Sequence, residues 1–431
     1  MEISVRIDAL DEEGRGVGTA DRLEIHVAGA LPGEVAIARI EHRSPHSPQA
    51  WATLVRLASA PSSDRVAPAC PAFGRCGGCT LQHLAYPAQL VEKRGRVARA
   101  LGRDVDAVVP APATLHYRNK GKYVVGRSWI LGSYAPGTHE IVDMAGCRVL
   151  EEPIDAVAGA LRDELARAGL PVYDEKTRLG ELRYAVLRAN HEGRVLVVVV
   201  VASDGRRAAL VDIARELRRR VPAVAGVVAN VNATTGGAIF GPIDLPLDGE
   251  STLADEIGGL RLILSARAFF QVNRAAAARM YREVERLVEP GPGLRVVDLF
   301  TGAGGIALTL AARGADVLGV EAHPEAVQDA RRSAAALGLP ARFLAADAAA
   351  GLAEPADLVV VNPPRKGLGA DTRAALLEAR PPRVVYVSCG PRSLGDDLAA
   401  LASGYDVASV RPFDLMPGTP QVETVALLRS R

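Results

Sequence analysis

The stretch Arg295-Val296-Val297-Asp298-Leu299-Phe300-Thr301-Gly302-Ala303-Gly304-Gly305 decides the fold of the C-terminal part of the chain. It predicts a β-strand over 295–299, a glycine-rich turn and a helix over 306–313. Glycines in such a turn let the backbone approach a nucleotide cofactor closely, and an acid at the end of the next strand binds ribose hydroxyls. Glu321, after the predicted strand 317–320, provides that acid. The turn alone is compatible both with a dinucleotide and with S-adenosylmethionine (SAM).

Two further strands of this α/β unit end in polar groups. A strand beginning near Phe343 leads to Asp347, whose carboxylate can meet an adenine edge. The strand 358–361 ends in Asn362-Pro363-Pro364, a stiff turn that holds the Asn amide at the crevice of the sheet. A methyl donor and acceptor would meet in this crevice. The turn is typical of methyltransferases that act on planar nitrogens or bases, so it favours SAM over a nicotinamide cofactor.

Two candidate catalytic side chains follow. The stretch Val385-Tyr386-Val387-Ser388-Cys389-Gly390-Pro391 predicts a short strand that delivers Cys389 to the edge where ligands of open α/β sheets lie. A thiolate there can attack carbon, although a lone cysteine is more often a small buried hydrophobe. Glu423 precedes the last predicted strand, 424–428, and is either a general base or a solvated edge residue. The nearness of Cys389 in the sheet order favours the general base.

The other cysteines have metal-ligand spacing. Cys70, Cys76 and Cys79 form a C-x5-C-x2-C motif, and Cys147 or Cys389 is available as a fourth ligand. Zinc sites normally show a second C-x2-C pair, which is missing, so an iron–sulfur cluster is the favoured interpretation. Unliganded structural cysteines are the alternative. Five cysteines in a chain without a signal-like N-terminus indicate metal binding or catalysis rather than disulfides.

Composition limits the class of protein. The 431 residues are too many for one core, so two or three domains are expected, and the 48% hydrophobic content is that of a soluble globular protein. No apolar run is long enough to cross a membrane, which predicts a cytoplasmic location. The net charge of +1 indicates no partner by itself. The stretch 86–127, however, holds nine Lys or Arg against three acids, and either meets phosphates or forms a solvated helix face.

The first two thirds of the chain read as two more units. Residues 1–58 alternate in short strands with glycine turns and predict an OB-like barrel, a common nucleic-acid binder. Residues 59–265 form the second unit, which begins with a linker at 60–65 and then mixes helices and strands in a βαβ-type platform. The stretch 116–122 combines a tyrosine with alternating cations, which suits phosphate contact and base stacking or an ordinary edge strand. Residues 266–431 form the third unit.

The chain resembles the SAM-dependent RNA uracil-C5 methyltransferases that carry an N-terminal TRAM domain and a [4Fe-4S] cluster, and it is most similar to the 23S rRNA enzymes. The resemblance covers nearly the whole chain. It rests on motifs in a fixed order: Leu31-Pro32-Gly33-Glu34, the Cys70–Cys79 motif, Tyr117-Arg118-Asn119-Lys120, Ile141-Val142-Asp143, Phe269-Phe270-Gln271-Val272-Asn273, Asn362-Pro363-Pro364-Arg365-Lys366-Gly367, Ser388-Cys389 and Val422-Glu423.

The resemblance implies a multi-domain α/β protein: a TRAM barrel, a central α+β domain with the iron–sulfur motif, and a Rossmann-like methyltransferase domain. It implies a monomer that binds RNA, either 23S rRNA or transfer RNA, and flips the target base out. Phe269, Phe270 or Tyr117 is expected to stack in the gap that the base leaves. The residues it assigns fall into three groups: the cluster ligands Cys70, Cys76, Cys79 and Cys147; the SAM site Gln271, Phe300, Gly302, Gly305, Glu321, Asp347 and Asn362; and the catalytic pair, with Cys389 as nucleophile and Glu423 as base.

Five positions depart from the family's usual residues, and none removes a catalytic group. They are Thr301 for Cys, Ser333 for Asn, Asn362 for Asp, Gly390 for Asn and Gln421 for His. Two other classes of protein remain as alternatives. One is a non-catalytic RNA-binding protein on a methyltransferase scaffold, against which Cys389 and Glu423 argue. The other is a small-molecule methyltransferase or nicotinamide enzyme, against which the N-terminal barrel and the basic stretch argue.

Overall fold

Three large sheets and one hairpin organise the chain, which a computed structural model describes over residues 2–431. The first sheet has the order β1-β5-β6-β4-β3-β2, with only β4 and β6 parallel. A Cβ on Gly18 would lie 1.8 Å from the carbonyl oxygen of Arg6, so glycine alone allows β1 and β3 to approach and curl the sheet around its core. The strands are β1 (Glu2–Arg6), β2 (Ala9–Leu10), β3 (Gly16–Ala20), β4 (Leu23–Ala28), β5 (Val35–Arg43) and β6 (Gln49–Leu57).

Helix α1 (Tyr86–Leu101) follows the cysteine motif and packs against the C-terminal sheet rather than the central one. Val97 is fully buried in the same cluster as Val297 and Tyr386 of that sheet. The basic stretch that begins here is only partly available to phosphates, because Lys93 is fully buried. Neither of the two sequence interpretations of that stretch accounts for Lys93.

The second sheet has the order β13-β12-β11-β10-β7-β8-β9 and carries two helices on one face. Strands β11 and β12 are parallel and are joined through α3, which is the predicted βαβ unit. A separate hairpin, β14 with β15, follows. The elements are β7 (Lys120–Val125), β8 (Leu131–Tyr134), β9 (Ile141–Asp143), α2 (Glu152–Ala168), β10 (Leu182–Ala189), β11 (Val195–Val201), α3 (Arg207–Arg220), β12 (Val224–Val231), β13 (Ile243–Gly249), β14 (Thr252–Ile257) and β15 (Leu260–Ser265).

The third sheet has the order β18-β17-β16-β19-β20-β22-β21 and is parallel except for β22, which runs against both neighbours. Strand order reverses between β16 and β19, and such a switch point opens a ligand crevice. The elements are α4 (Arg274–Val288), β16 (Arg295–Leu299), α5 (Gly305–Ala311), β17 (Asp316–Glu321), α6 (Pro324–Leu337), β18 (Arg342–Ala345), β19 (Leu358–Val361), α7 (Ala370–Ala379), β20 (Arg383–Ser388), α8 (Pro391–Leu401), β21 (Tyr405–Phe413) and β22 (Glu423–Ser430). Within residues 2–431, none of the helices has both the length and the apolar character that a membrane crossing requires.

Candidate active site and cysteine pocket

A pocket opens at the switch point between β16 and β19. It collects residues from three stretches that are far apart in sequence: Phe269, Phe270, Gln271 and Tyr281; Asp298, Phe300, Thr301, Gly302, Ala303, Gly305 and Ile306; and Asn362. Five of the seven residues expected to bind SAM therefore line one pocket. Gly302 and Gly304 have positive φ angles of 57° and 85°, as the tight turn requires.

The remaining two residues expected to bind SAM, Glu321 and Asp347, do not line this pocket. Glu321 ends β17, and its carboxylate accepts hydrogen bonds from the amides of Gly302 at 3.1 Å and His323 at 2.9 Å. It thus borders the glycine turn, where ribose hydroxyls would reach it. Asp347 lies two residues beyond β18, is exposed and does not line the pocket. Its contact with an adenine edge stays a prediction.

Asp298 is a pocket residue to which the sequence argument gave no role. Its Oδ2 accepts a hydrogen bond from the Thr301 hydroxyl at 2.6 Å and one from the Ala307 amide at 3.1 Å. Its Oδ1 is buried and has no hydrogen-bond partner among residues 2–431. Burial raises the pKa of this carboxyl to about 7. In the sequence, Asp298 could have been recognised as an acid one residue before the end of a buried strand. Its unpaired Oδ1 could accept a hydrogen bond from a ligand in the pocket.

Thr301 therefore orients Asp298. The hydroxyl does so from the position where the resemblance predicted a cysteine.

Cys389 and Glu423 lie side by side where the C-terminal end of β20 meets the N-terminal end of β22. Ser388 faces Thr424 in the antiparallel pair of β20 and β22, so Cys389 and Glu423 are the next residue on each strand. Burial, and then the charge of Glu423, raise the pKa of the Cys389 thiol to about 11, while Arg365 opposes the shift. Burial also raises the pKa of Glu423 to about 7, again against Arg365.

This pair lies near the SAM-type pocket, although neither residue lines it. Tyr281 lines the pocket, and its pKa is raised by burial and by the charges of Asp298 and Glu423. Glu423 thus lies close enough to Tyr281, a residue of the pocket wall, for its charge to affect that hydroxyl. A planar substrate entering beside the pocket would meet a nucleophile, a base and a bound cofactor together.

The two neighbouring phenylalanines have different environments. Phe270 is buried in the core of the third sheet, as expected for packing, whereas the Phe269 side chain is 69% exposed at the pocket mouth. The central sheet holds this segment in place: the guanidinium of Arg188 donates to the carbonyl of Ala268, and the Asn119 amide donates to that of Gln271 at 2.9 Å. Of the three rings expected to stack in the gap left by a flipped base, Phe269 is the accessible one.

The third of those rings is engaged elsewhere. Tyr117 is 6% exposed, and its hydroxyl donates to the carbonyl of Pro417 at 2.9 Å. It packs inside the protein, so it is not available to stack on a base. The Tyr117-Arg118-Asn119-Lys120 motif therefore provides contacts within the fold in addition to its positively charged side chains.

The other four cysteines line a second pocket. Cys70, Cys76, Cys79 and Cys147 all line it, whereas Cys389 does not. The assignment of Cys147 as a fourth ligand stays a prediction. Arg118, Lys120 and Lys122 line the same pocket. Burial raises the pKa of Cys79 to about 11, with Cys147 and Cys76 adding to the shift. Within residues 2–431 no three His, Cys, Asp or Glu side chains converge closely enough to hold a metal ion, these cysteines included.

Comparisons with known proteins agree with this geometry. The model of the tRNA (uracil-5-)-methyltransferase family matches residues 355–431, and that of the methyltransferase small domain matches residues 284–379. An uncharacterized RNA methyltransferase of Geobacter sulfurreducens is 38% identical over 99% of this chain and 89% of its own length. One from Listeria innocua is 33% identical over 99% and 97%.

Among solved structures, the chain is similar to Pyrococcus abyssi tRNA (uracil-54, C5)-methyltransferase in complex with S-adenosyl-L-homocysteine. The two superpose with a TM-score of 0.82 and 27% identity, over 99% of this chain and 100% of the other. Because the superposition covers nearly the whole chain, it includes the third sheet. The chain belongs to the uracil-C5 family of SAM-dependent RNA methyltransferases.

Proposed function

We propose that the protein transfers a methyl group from SAM to carbon 5 of a specific uridine in RNA, with Cys389 as nucleophile and Glu423 as base. The observation that carries the proposal is the placement of these two side chains one residue beyond the paired Ser388 and Thr424, beside the cofactor pocket. Both side chains are half-buried where the ends of β20 and β22 meet. The two groups together are what addition to a pyrimidine and later proton removal require.

The Cys389 thiol gives its proton to water, and the thiolate forms a bond to carbon 6 of uracil, which moves the C5–C6 electron pair onto carbon 5 and the C4 carbonyl as an enolate. Bound SAM would supply a methyl group on a sulfonium, and the bond from that methyl to sulfur would break as carbon 5 takes the methyl, which leaves a neutral thioether. Glu423 then removes the proton left on carbon 5, and the returning electrons expel the Cys389 thiolate. The C5–C6 double bond is then restored.

The pKa shifts fit these roles. Burial raises the pKa of the thiol to about 11, so its neutral form dominates at neutral pH and it must lose its proton before it adds to carbon 6. Arg365 favours the charged forms of both groups. A carboxyl with a pKa of about 7 is suited to accept a proton near neutral pH and to release it afterwards.

The substrate proposed first is 23S ribosomal RNA, because the motif order is most similar to that of the ribosomal enzymes. Transfer RNA is the second candidate, because the Pyrococcus abyssi protein of the same fold is a tRNA (uracil-54, C5)-methyltransferase. Nucleoside mass spectrometry of RNA from cells that lack the gene tests both. Loss of 5-methyluridine from the ribosomal fraction supports the first, and loss from the transfer fraction supports the second. No loss from either contradicts the proposal and favours a non-catalytic RNA-binding protein.

We further propose that the four cysteines of the second pocket hold a [4Fe-4S] cluster. A cubane cluster takes four thiolates and is wider than a single ion, so its ligands need not converge as those of a zinc site do. Arg118, Lys120 and Lys122 line the pocket and would offset the negative charge of a tetrathiolate cluster. The Gly78 amide already donates to the Cys76 sulfur at 3.4 Å. In this proposal Cys70, Cys76, Cys79 and Cys147 hold the cluster, whose contribution is structural because the reaction transfers no electrons.

The remaining parts of the proposal concern organisation. Residues 1–58 act as a TRAM-type RNA-binding barrel, 59–265 as a central domain with the cluster, and 266–431 as the catalytic domain. Phe269 is placed to stack where the flipped uracil leaves the helix. The protein works as a monomer in the cytoplasm, where its RNA substrate is made.

A further inference from the structure

The segment that carries the base is an irregular stretch with a buried backbone. Residues 414–422 join β21 to β22 and lead directly to Glu423, the proposed base. We call them the base segment. All but Met416 and Gln421 are buried. A buried segment without regular structure needs partners for its peptide groups from elsewhere. The residues that supply them decide where Glu423 lies.

One partner is the turn after the cysteine motif. The Leu81 amide donates to the Gly418 carbonyl at 2.9 Å, and the Gly418 amide donates to Oε1 of Gln89 at 2.8 Å. The amide nitrogen of Gln89 in turn donates to the carbonyls of Leu81 and Leu84, at 3.1 and 2.8 Å. A Cβ on Gly418 would lie 4.0 Å from that of Cys79, so the base segment touches the cysteine pocket.

Two further partners come from the same part of the chain. The ammonium of Lys93, on α1, donates to Oδ1 of Asp414 at 2.5 Å and to the Met416 carbonyl at 3.1 Å. Tyr117 donates to the Pro417 carbonyl at 2.9 Å. Burial raises the pKa of Tyr117, which keeps its hydroxyl protonated as a donor. The catalytic domain itself contributes a bond from the Asn273 amide to the Leu415 carbonyl at 3.1 Å.

The nucleophile does not depend on these contacts. Cys389 follows β20, and the next turn is closed locally by bonds among Ser388, Gly390 and Ser393. The two members of the catalytic pair are thus held by different parts of the chain.

We propose that Tyr117, Gln89 and Lys93 are positioning residues for Glu423, and that through them the cysteine-motif region controls proton removal but not thiolate addition. The inference rests on the proposed covalent mechanism. Its signature is kinetic: when an anchor is lost, the Cys389–RNA adduct still forms and accepts its methyl group. The adduct then persists because the base is misplaced.

The test is Tyr117→Phe, which deletes only the anchoring hydroxyl, with Tyr123→Phe as the matched control. Tyr123 is also buried, at 2% exposure, but its hydroxyl has no hydrogen-bond partner among residues 2–431. Each full-length protein, at equal iron content, is mixed with RNA from cells lacking the gene and with SAM labelled in its methyl group. Label retained on the protein in a denaturing gel reports the methylated adduct over time.

We expect adduct decay to slow roughly fivefold to tenfold in Tyr117→Phe, the effect of one lost buried hydrogen bond, while adduct formation stays within about twofold. Tyr123→Phe matches the wild type in both. Gln89→Met, which removes the partner of the Gly418 amide, repeats the Tyr117→Phe pattern.

Two outcomes overturn the inference: unchanged decay in Tyr117→Phe, or equal slowing of formation and decay. Both are read against Glu423→Gln in the same gel. If Glu423→Gln forms no adduct, the covalent mechanism itself fails.

Discussion

The carboxylate of Glu423 raises the pKa of the Cys389 thiol, and burial of the thiol contributes the larger part of the shift. The two groups are one residue beyond the facing pair Ser388 and Thr424. Their proximity means that each is sensitive to the other's charge, and that substitution of either has a distinct kinetic consequence.

Replacement of the nucleophile separates chemistry from cofactor binding. We expect Cys389→Ala to lower methylation by roughly 1000-fold or more, because no other described group can add to carbon 6. SAM affinity measured by calorimetry stays near that of the wild type, since Cys389 does not line the cofactor pocket. Normal turnover by this variant would rule out the covalent route.

Replacement of the base stops the reaction after the methyl transfer. Glu423→Gln keeps the shape of the side chain but cannot accept the carbon 5 proton, so turnover falls by roughly 100-fold or more. A denaturant-stable protein–RNA band, carrying the transferred methyl, accumulates on a gel. Absence of that band, with Cys389→Ala as the blank, argues against Glu423 as the base.

The raised pKa of Glu423 predicts opposite effects of pH on activity and stability. Single-turnover proton removal increases as pH rises through about 7, because the base must be ionised. The free energy of unfolding changes in the opposite direction and decreases as pH rises. The folded state favours the protonated acid, so the contribution of Glu423 to stability is complete below the ordinary glutamate pKa of 4.5 and is lost as pH rises through about 7.

Glu423→Gln removes this titration. Its thermal stability relative to the wild type therefore increases between pH 4.5 and 7, by at most about 3 kcal/mol. A stability difference that does not change with pH would show that the carboxyl is not shifted upward in the folded protein.

The cysteines offer an internal control for the cluster. Cys76→Ser and Cys147→Ser should lose bound iron and visible absorbance, whereas Cys389→Ser keeps both, because only the first two line the second pocket. Iron analysis after anaerobic purification makes the measurement. Colourless wild-type protein without iron contradicts the cluster, and equal iron in all three variants contradicts the ligand assignment.

Thr301 supports the cofactor site through Asp298. Thr301→Val removes the donor at 2.6 Å and leaves Oδ2 with only the Ala307 amide, so SAM affinity should fall roughly tenfold. Thr309→Val is the control, since that hydroxyl bonds only to the Gly305 carbonyl of its own helix. Equal affinity in the two variants would mean that the Thr301–Asp298 bond does not contribute to the cofactor site.

Local pattern predicted the third sheet well. Strand 295–299, the glycine turn and the strand before Cys389 lie where alternation, glycine spacing and chain punctuation indicated. The helix after the glycine turn was predicted over 306–313 and spans Gly305–Ala311, so its position was predicted to within two residues at either end. The cofactor pocket was predictable because its residues follow strand ends, which a parallel sheet brings to one edge.

Contacts between distant segments were not predictable in this way. Nothing in the sequence near Lys93 distinguishes it from the solvated cations around it, yet its partner Asp414 is 321 residues away and both are fully buried. Tyr117 was expected to meet RNA and instead bonds to Pro417. In both cases a side chain's role depends on which distant backbone reaches it, and residue type alone does not encode that.

The packing of α1 on the third sheet has a consequence for biosynthesis. The helix leaves the ribosome long before β19 to β22, the strands that cover its apolar side, have been made. During translation the nascent chain must keep Val97 and its neighbours from other partners until the last strands arrive. A fragment that starts at residue 266 would lack this helix and would leave the apolar residues that pack against Val97 without their cover.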